Sequence, residues 1–427
     1  MRALRRHLLP LLIWTLALLA IYSPLALGLR ALPTSDLTDG MYPYAVFQAR
    51  EMRAGRLPVW SPGSYGGHPF AADPQSAVFY PLRLLTLLFA PASGLPVQLL
   101  FLEAILHLWL TGAFMYALVA DITGRREAGL LAAIAWGLGG YLIGYPVLQL
   151  PILESIAWLP LALLCLRRAA RATRALGWLC GGALALACCA LAGHPQTLMH
   201  AAYLALAYYL YSTWRAGWTP RWIAIGGALL ASLALGMAAP VWLPALDYYP
   251  LTERAGVGYE FVRWGLPLQD YLQMLVPTAL TLFAPQYIGL GTLLLAGVAV
   301  AHRPGVPAAL RAETGFWVAV ALVAGLLALG DDGILFAVGY RLLPGWSLFR
   351  QQERWLSLFS LALALLGGIG CSVWLEASAG DLRTTARRVF AAGAGALARQ
   401  WSGPERTRRP RSKEPRSCFW SGGSASG

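Results

Sequence analysis

Charge is scarce in this chain. Only 12% of its 427 residues are Asp, Glu, Lys or Arg, against 58% hydrophobic, whereas a soluble domain carries about 25% charge. That shortage excludes a water-soluble globule. Lysine is nearly missing, with Lys413 the single example. The six cysteines (165, 180, 188, 189, 371 and 418) form no Cys-x-x-Cys pair and no metal-ligand spacing. Five of them fall in apolar runs, where a thiol behaves as a small hydrophobe. The sequence shows no phosphate-cradling P-loop, no nucleophilic triad and no internal repeat. The missing repeat argues against the secondary transporters that are built from paired halves.

What fills the chain instead is a series of apolar runs of about 20 residues, each enough to cross roughly 30 Å of hydrocarbon. Spans are expected near 8–29, 95–120, 128–147, 150–166, 176–193, 196–213, 222–244, 283–301, 314–330 and 354–376. The stretch 271–283 reads as half a span or a re-entrant piece, so the fold expected is an all-α polytopic membrane protein of about ten or eleven helices. The first run follows Arg2, Arg5 and Arg6. It is longer than a signal-peptide core and no small-x-small site follows it, so it is read as an uncleaved helix.

The net charge of +13 then becomes a topology signal rather than a nucleic-acid footprint. With the N-terminus in the cytoplasm, most of the 33 basic residues fall on the inner side, and the outer segments are slightly acidic. This is the positive-inside pattern. The outer side also holds the long irregular segments, near 30–94, 245–282 and 331–353, while the inner loops are short. Long loops in a compact protein are usually functional, so chemistry is expected on the outer face.

In the first outer segment Asp36 and Asp39 follow the first span directly. A short helix is expected over 43–54, with Arg50, Arg53 and Arg56 on one face at the phosphate level of a bilayer. Asp39 either caps that helix or serves the chemistry. Next come Leu57-Pro58-Val59-Trp60, Gly66-Gly67-His68-Pro69-Phe70 and Asp73-Pro74-Gln75-Ser76-Ala77-Val78-Phe79-Tyr80-Pro81. In this order the residues resemble the YfhO-like bacterial membrane proteins, grouped with the GT-C glycosyltransferase superfamily. Ala192-Gly193-His194-Pro195-Gln196 and Phe349-Arg350-Gln351-Gln352-Glu353-Arg354 extend the resemblance. Gln352 stands where that family's pattern has proline. The resemblance runs from residue 1 to about 376.

It implies a GT-C-like fold and transfer of a sugar from a polyprenyl-phosphate donor to a cell-envelope acceptor, by inversion, outside the plasma membrane. A sugar phosphate already carries a stable leaving group. The transition state therefore needs a base at the acceptor hydroxyl and positive charge at the departing phosphate. Asp36 is the first candidate base and Asp39 the second. Arg350 and Arg354, four apart, are candidates for the phosphate clamp. Arg50, His68 and Gln75 are candidate substrate contacts in the first outer segment.

Glu103 and His107 lie at i and i+4 inside the second span, either as a self-satisfied polar pair or bordering the catalytic cavity. Glu154 is placed to reach the same cavity. His194 and Gln196 either cap a helix or hydrogen-bond sugar or phosphate. His200 reads as a helix-packing residue, and Asp331-Asp332 as a solvated turn. Some GT-C relatives use a divalent cation, but no spacing here is diagnostic of one. The rival readings are a transporter or flippase of a lipid-linked precursor, and a non-catalytic member of the fold. Residues 377–427 read as a basic, disordered cytoplasmic tail, and as the product of a truncation or frameshift.

Overall fold

The computed structural model describes residues 2–33, 35–63, 66–277, 286–301 and 305–377, together with Gly380 and Thr384. Apart from Ala377 and those last two residues, the expected tail lies outside the described residues. Among those described the chain is 77% helical with no strands, and six helical segments are long and apolar enough to cross a membrane.

The first helix, α1 (Arg2–Ala26), leads to α2 (Tyr42–Arg53) and α3 (Pro81–Leu88) in the first segment expected outside. Then come α4 (Val97–Thr123), α5 (Arg126–Gly137), α6 (Gly140–Ile143), α7 (Tyr145–Leu148), α8 (Leu150–Ala157) and α9 (Leu159–Arg171). They are followed by α10 (Leu176–Leu191), α11 (Pro195–Arg215), α12 (Pro220–Tyr248) and the single turn α13 (Tyr259–Val262). Last come α14 (Leu290–Ala301), α15 (Ala308–Ala328), α16 (Ile334–Leu342) and α17 (Leu356–Glu376).

The six segments long enough to cross stand against the ten or eleven spans expected; the apolar helices Leu176–Leu191 and Leu290–Ala301 are shorter than a full span, and two further stretches differ. The stretch 128–147 is not one span, because α5 stops at Gly137 and the chain continues as two short turns before α8. Gly139 sits so close to the preceding turn that an added Cβ would meet the Ala135 carbonyl oxygen at 2.5 Å. The Gly140 N–H leaves the helix ladder to donate to Tyr287 O at 2.7 Å. Over 271–283, Leu268–Met274 forms a 3-10 helix, and 278–285 lie outside the described residues.

The centre of the bundle is set by burial. The apolar windows of Leu150–Arg171 and Gln352–Glu376 are 89% and 83% buried, against 22% for α1 and 17% for the segment containing α12. The first two form the core and the last two the rim. Small residues allow the central contacts: an added Cβ on Gly370 would meet Leu295 O of α14 at 1.8 Å, and one on Gly367 would meet Thr292 Cγ2 at 2.5 Å. Close backbone approach of this kind is how apolar helices associate without a solvent-driven force. At the rim, Trp14 of α1 is 1% exposed, fitted against Gly112 and Gly137, and its Nε1–H donates to Trp109 O at 3.0 Å.

One end of the bundle gathers the segments expected inside. Arg126 donates to Arg6 O at 2.9 Å, Arg125 pairs with Glu376 at 2.8 Å, and Arg167 bridges Asp121 (2.9 Å) and Glu313. The opposite end gathers the segments expected outside.

Candidate functional site

At that opposite end a cavity of about 870 Å³ opens among the first outer segment, the start of α8 and the turn before α11. Asp36 enters it from the N-cap of a π-helical turn, Leu37–Met41. Leu37, fully buried, anchors that turn in the core and so fixes the carboxylate beside it. The Asp36 Oδ2 accepts a hydrogen bond from Gln149 Nε2. The Gln149 Oε1 lies 3.4 Å from Arg354 Nη2. Arg354 Nη1 in turn donates to Gln196 Oε1 at 2.8 Å and to His194 Nε2 at 3.1 Å. A single hydrogen-bonded line thus runs from Asp36 through Gln149 and Arg354 to His194 and Gln196. It joins four of the residues singled out in the sequence.

Each member is held from behind. The Gln196 side chain, 2% exposed, donates to the carbonyls of Arg350 (2.8 Å) and Gln351 (3.3 Å). His194 N-caps α11, its Nδ1 within 3.1 Å of Thr197 N and 2.7 Å of Thr197 Oγ1, so capping and arginine contact coexist. A guanidinium only donates, so His194 Nε2 faces it as an acceptor. Burial first, and then the charges of Arg354 and other neighbouring groups, push the His194 ring well below its ordinary value; it is neutral at pH 7.

Arg350 and Arg354 do not share a helix face. Gln351 adopts a left-handed φ of 63°, so Arg350 precedes the 3-10 turn Gln352–Trp355 that carries Arg354. They still converge. Arg350 lies over the Phe261 ring at 5.3 Å, and Arg254 lies over the same ring at 5.6 Å. Burial, followed by the charges of Arg350 and Arg354, lowers the Arg254 guanidinium. Three arginines therefore crowd one region beside the cavity. At Gln352, the N–H donates to Trp264 O at 2.9 Å and the side chain binds Val262 O at 2.9 Å. Proline could supply neither bond.

The sequence motifs of the first outer segment meet the later ones directly. The Asp73-Pro74-Gln75-Ser76 turn packs on Gly193, whose φ is +91° and where an added Cβ would stand 2.0 Å from Pro74 O. Asp73 accepts from Gln75 N at 2.9 Å and from Tyr44 Oη at 3.0 Å. Burial raises the Asp73 carboxyl, and these hydrogen bonds partly offset the rise. Gln75 lines the cavity, as do Asp39 and Arg50. Asp39 does not cap α2, whose N-cap is Met41 without a side-chain bond; its carboxylate accepts from Thr38 Oγ1 at 2.9 Å.

The three arginines expected on one face diverge. Arg50 lies 3.6 Å from Glu51, Arg56 pairs with the same carboxylate at 2.8 Å, and Arg53 donates to Ala90 O at 2.7 Å. Arg50 and Arg56 thus share one carboxylate, although Arg56 lies beyond the helix end, while Arg53 turns to the backbone at Ala90. His68 is buried and stacked on Tyr44 at 5.9 Å. Neither of its ring nitrogens has a partner among the described residues.

Glu103, His107 and Glu154 sit behind the cavity wall rather than on it. Arg83, 2% exposed, inserts between the two glutamates, 3.1 Å from each. The His107 Nδ1 meets Glu103 O at 2.7 Å, and its Nε2 meets Tyr80 Oη at 2.5 Å. Trp158 Nε1–H donates to the same phenol oxygen at 2.9 Å. These side chains satisfy one another except at Glu154 Oε2, which is buried without a hydrogen-bond partner among the described residues. His200 packs as expected, 3.9 Å from the Trp355 ring. Asp331 and Asp332 are exposed in a 3-10 turn as expected, and Asp331 also pairs with Arg263 at 2.9 Å and accepts from Tyr259.

Among the described residues no three His, Cys, Asp or Glu side chains gather as a metal-holding group. Of the three carboxylates weighed for a cation, Asp36 and Asp39 reach the cavity, and Glu103 is engaged by Arg83. No protein-family model matches the chain, and no curated protein matches it. The sequence reading missed Gln149, Arg254 and Arg83. Only Gln149 left a signal, as a lone amide between Pro146 and Pro151 in an otherwise apolar run.

Proposed function

We propose that the chain is a YfhO-like glycosyltransferase of GT-C type, moving a sugar from a polyprenyl-phosphate donor to a cell-envelope acceptor at the outer face of a bacterial plasma membrane. One observation carries the reading: the Asp36 carboxylate and the Arg354 guanidinium engage the same Gln149 side chain, and Asp36 and Gln149 both line the cavity. A base and a phosphate-binding cation are the two parts the reaction needs.

In the proposed step the acceptor hydroxyl oxygen attacks the anomeric carbon from the face opposite the phosphate. The new carbon–oxygen bond forms as the bond to the phosphate oxygen breaks, which inverts the centre. Asp36 takes the hydroxyl proton. The polyprenyl phosphate leaves with the bonding pair, and its added charge meets Arg354, Arg350 and Arg254, whose planar forks suit phosphate oxygens. Asp39, Arg50 and Gln75, on the cavity wall, hold the acceptor or the sugar.

The test is transfer in liposomes from a radiolabelled polyprenyl-phosphate sugar to crude envelope acceptors. Asp36→Asn is expected to lower transfer by at least about 10²-fold, the scale of a lost general base, while donor binding persists. Equal transfer by wild type and variant would remove Asp36 from the chemistry.

A second reading, transport of the lipid-linked sugar, has one observation in its favour. Two carboxylates and one arginine are buried together at Arg83, Glu103 and Glu154, the kind of intramembrane polar group that marks ion or substrate pathways. Label that crosses the bilayer without forming a new glycosidic bond is the outcome that selects it.

A further inference from the structure

The basic end of the bundle carries a second, smaller cavity, of about 250 Å³, remote from the site above. It is lined by Arg171 at the end of α9, Arg215 and Ser212 at the end of α11, and Ala309 and Glu313 in the first turns of α15. The charges here do not balance. Arg167 and Arg168 are engaged with Asp121 at 2.9 Å each, and Arg167 also with Glu313. Tyr208 Oη donates to Glu313 as well, at 3.4 Å. Asp121 and Glu313 are thereby taken. Among the described residues neither Arg171 nor Arg215 forms an ion pair, and both act electrostatically on the Tyr211 side chain that lines the same cavity.

A second observation is independent of the arginines. Ser212 is 9% exposed, and its hydroxyl has no hydrogen-bond partner among the described residues. A buried hydroxyl without a partner is costly, and this one belongs to a residue of the cavity wall. The first turn of α15, which has no side-chain cap, supplies Ala309 to the rim and adds the positive end of a helix dipole. The depth is set by tryptophans. Trp214 and Trp222 are 70% and 58% exposed, Trp178 lies under Arg168 at 4.9 Å, and Trp218 donates to Ala170 O at 3.1 Å. Tryptophan gathers at the headgroup level of a bilayer.

We propose that this cavity binds an anionic phosphate group, held between the Arg171 and Arg215 guanidiniums with the Ser212 hydroxyl as a further donor. Two sources carry that chemistry at this depth, the headgroup of an anionic phospholipid and free phosphate. The arginine forks match phosphate oxygens in pairs, and the proposal does not depend on what the opposite cavity does.

The test uses the full chain in a neutral detergent, titrated separately with short-chain phosphatidylglycerol, short-chain phosphatidylcholine and inorganic phosphate, with binding read from tryptophan fluorescence. Saturable binding of phosphatidylglycerol, weakened roughly ten- to a hundredfold in Arg171→Gln/Arg215→Gln, is the expected result. Phosphatidylcholine should bind at least tenfold more weakly. Comparable saturation by inorganic phosphate, lost in the same double variant, supports the site with free phosphate as its source.

Ser212→Ala should weaken binding less, and Arg174→Gln/Arg221→Gln, exposed charges at the same end, should leave it within about twofold. Arg171→Lys/Arg215→Lys keeps the charge and serves as the folding control, checked by gel filtration. Equal binding by the wild type and Arg171→Gln/Arg215→Gln overturns the proposal. So does an equal loss from Arg174→Gln/Arg221→Gln, because a diffuse surface charge would then suffice.

Discussion

Two residues carry opposite kinds of electrostatic duty. Among the described residues Arg83 is the one cation paired with Glu103 and Glu154, and all three are buried. Removing one partner of a buried ionic group is far more damaging than never having had it. Arg83→Met is therefore expected to destabilise the protein by about 3–5 kcal/mol in a denaturant titration in detergent. Glu103→Gln should cost clearly less, because Glu154 still meets the guanidinium. His194 works by staying neutral. Its folded pKa is depressed, so as pH falls through the unfolded value near 6.5 the unfolded chain takes up protons first. Stability is fully present above that value and declines below it. Melting temperature followed from about pH 8 to pH 5 should fall, and fall less steeply in His194→Gln. Identical slopes would mean that His194 is not the titrating group.

At the scale of elements, small residues decide where helices touch. Gly370 has no room for a side chain against Leu295 O, whereas Gly236 on α12 has open space around its Cβ position. Gly370→Val is expected to cost about 1–3 kcal/mol by overpacking, and Gly236→Val much less, measured as thermal shifts in the same detergent. Elements were also where the sequence was most and least readable. Helix α2 and most long spans could be anticipated, because hydropathy and Gly/Pro punctuation are local properties. The break between α5 and α8 could not, because a hydropathy window averages over Gly139 and Gly140 and cannot foresee that Tyr287 will take the Gly140 N–H. That break is what delivers Gln149 to the cavity. Arg83 was invisible for a similar reason: in sequence it is one basic residue of a loop helix, and only the fold gives it two glutamates. Asp36, His194, Gln196 and Arg354 were singled out from motif text and converge in space. Arg254 has no such text.

At the scale of the molecule, the arrangement of ends makes a topology prediction. Val59, beyond α2, and Thr173, after α9, lie toward opposite ends of the bundle and both are exposed. In cells expressing Val59→Cys or Thr173→Cys, with Cys180 and Cys418 replaced, a membrane-impermeant maleimide should label position 59 from outside. It should label position 173 only after permeabilisation. Reversed labelling would place the arginine-rich end, and the N-terminus with it, outside. The central position of α17 has a consequence for biogenesis. The last of the described spans to leave the ribosome is one of the most enclosed, packed against α5, α14 and α15. The earlier helices must hold a vacant slot in the bilayer until it arrives. Arg354 arrives with it, so Asp36 waits through the synthesis of more than 300 residues before its line of hydrogen bonds can close. Closure of that line thus waits for α17, and a nascent chain stalled before residue 354 carries the first carboxylate without the guanidinium that faces it.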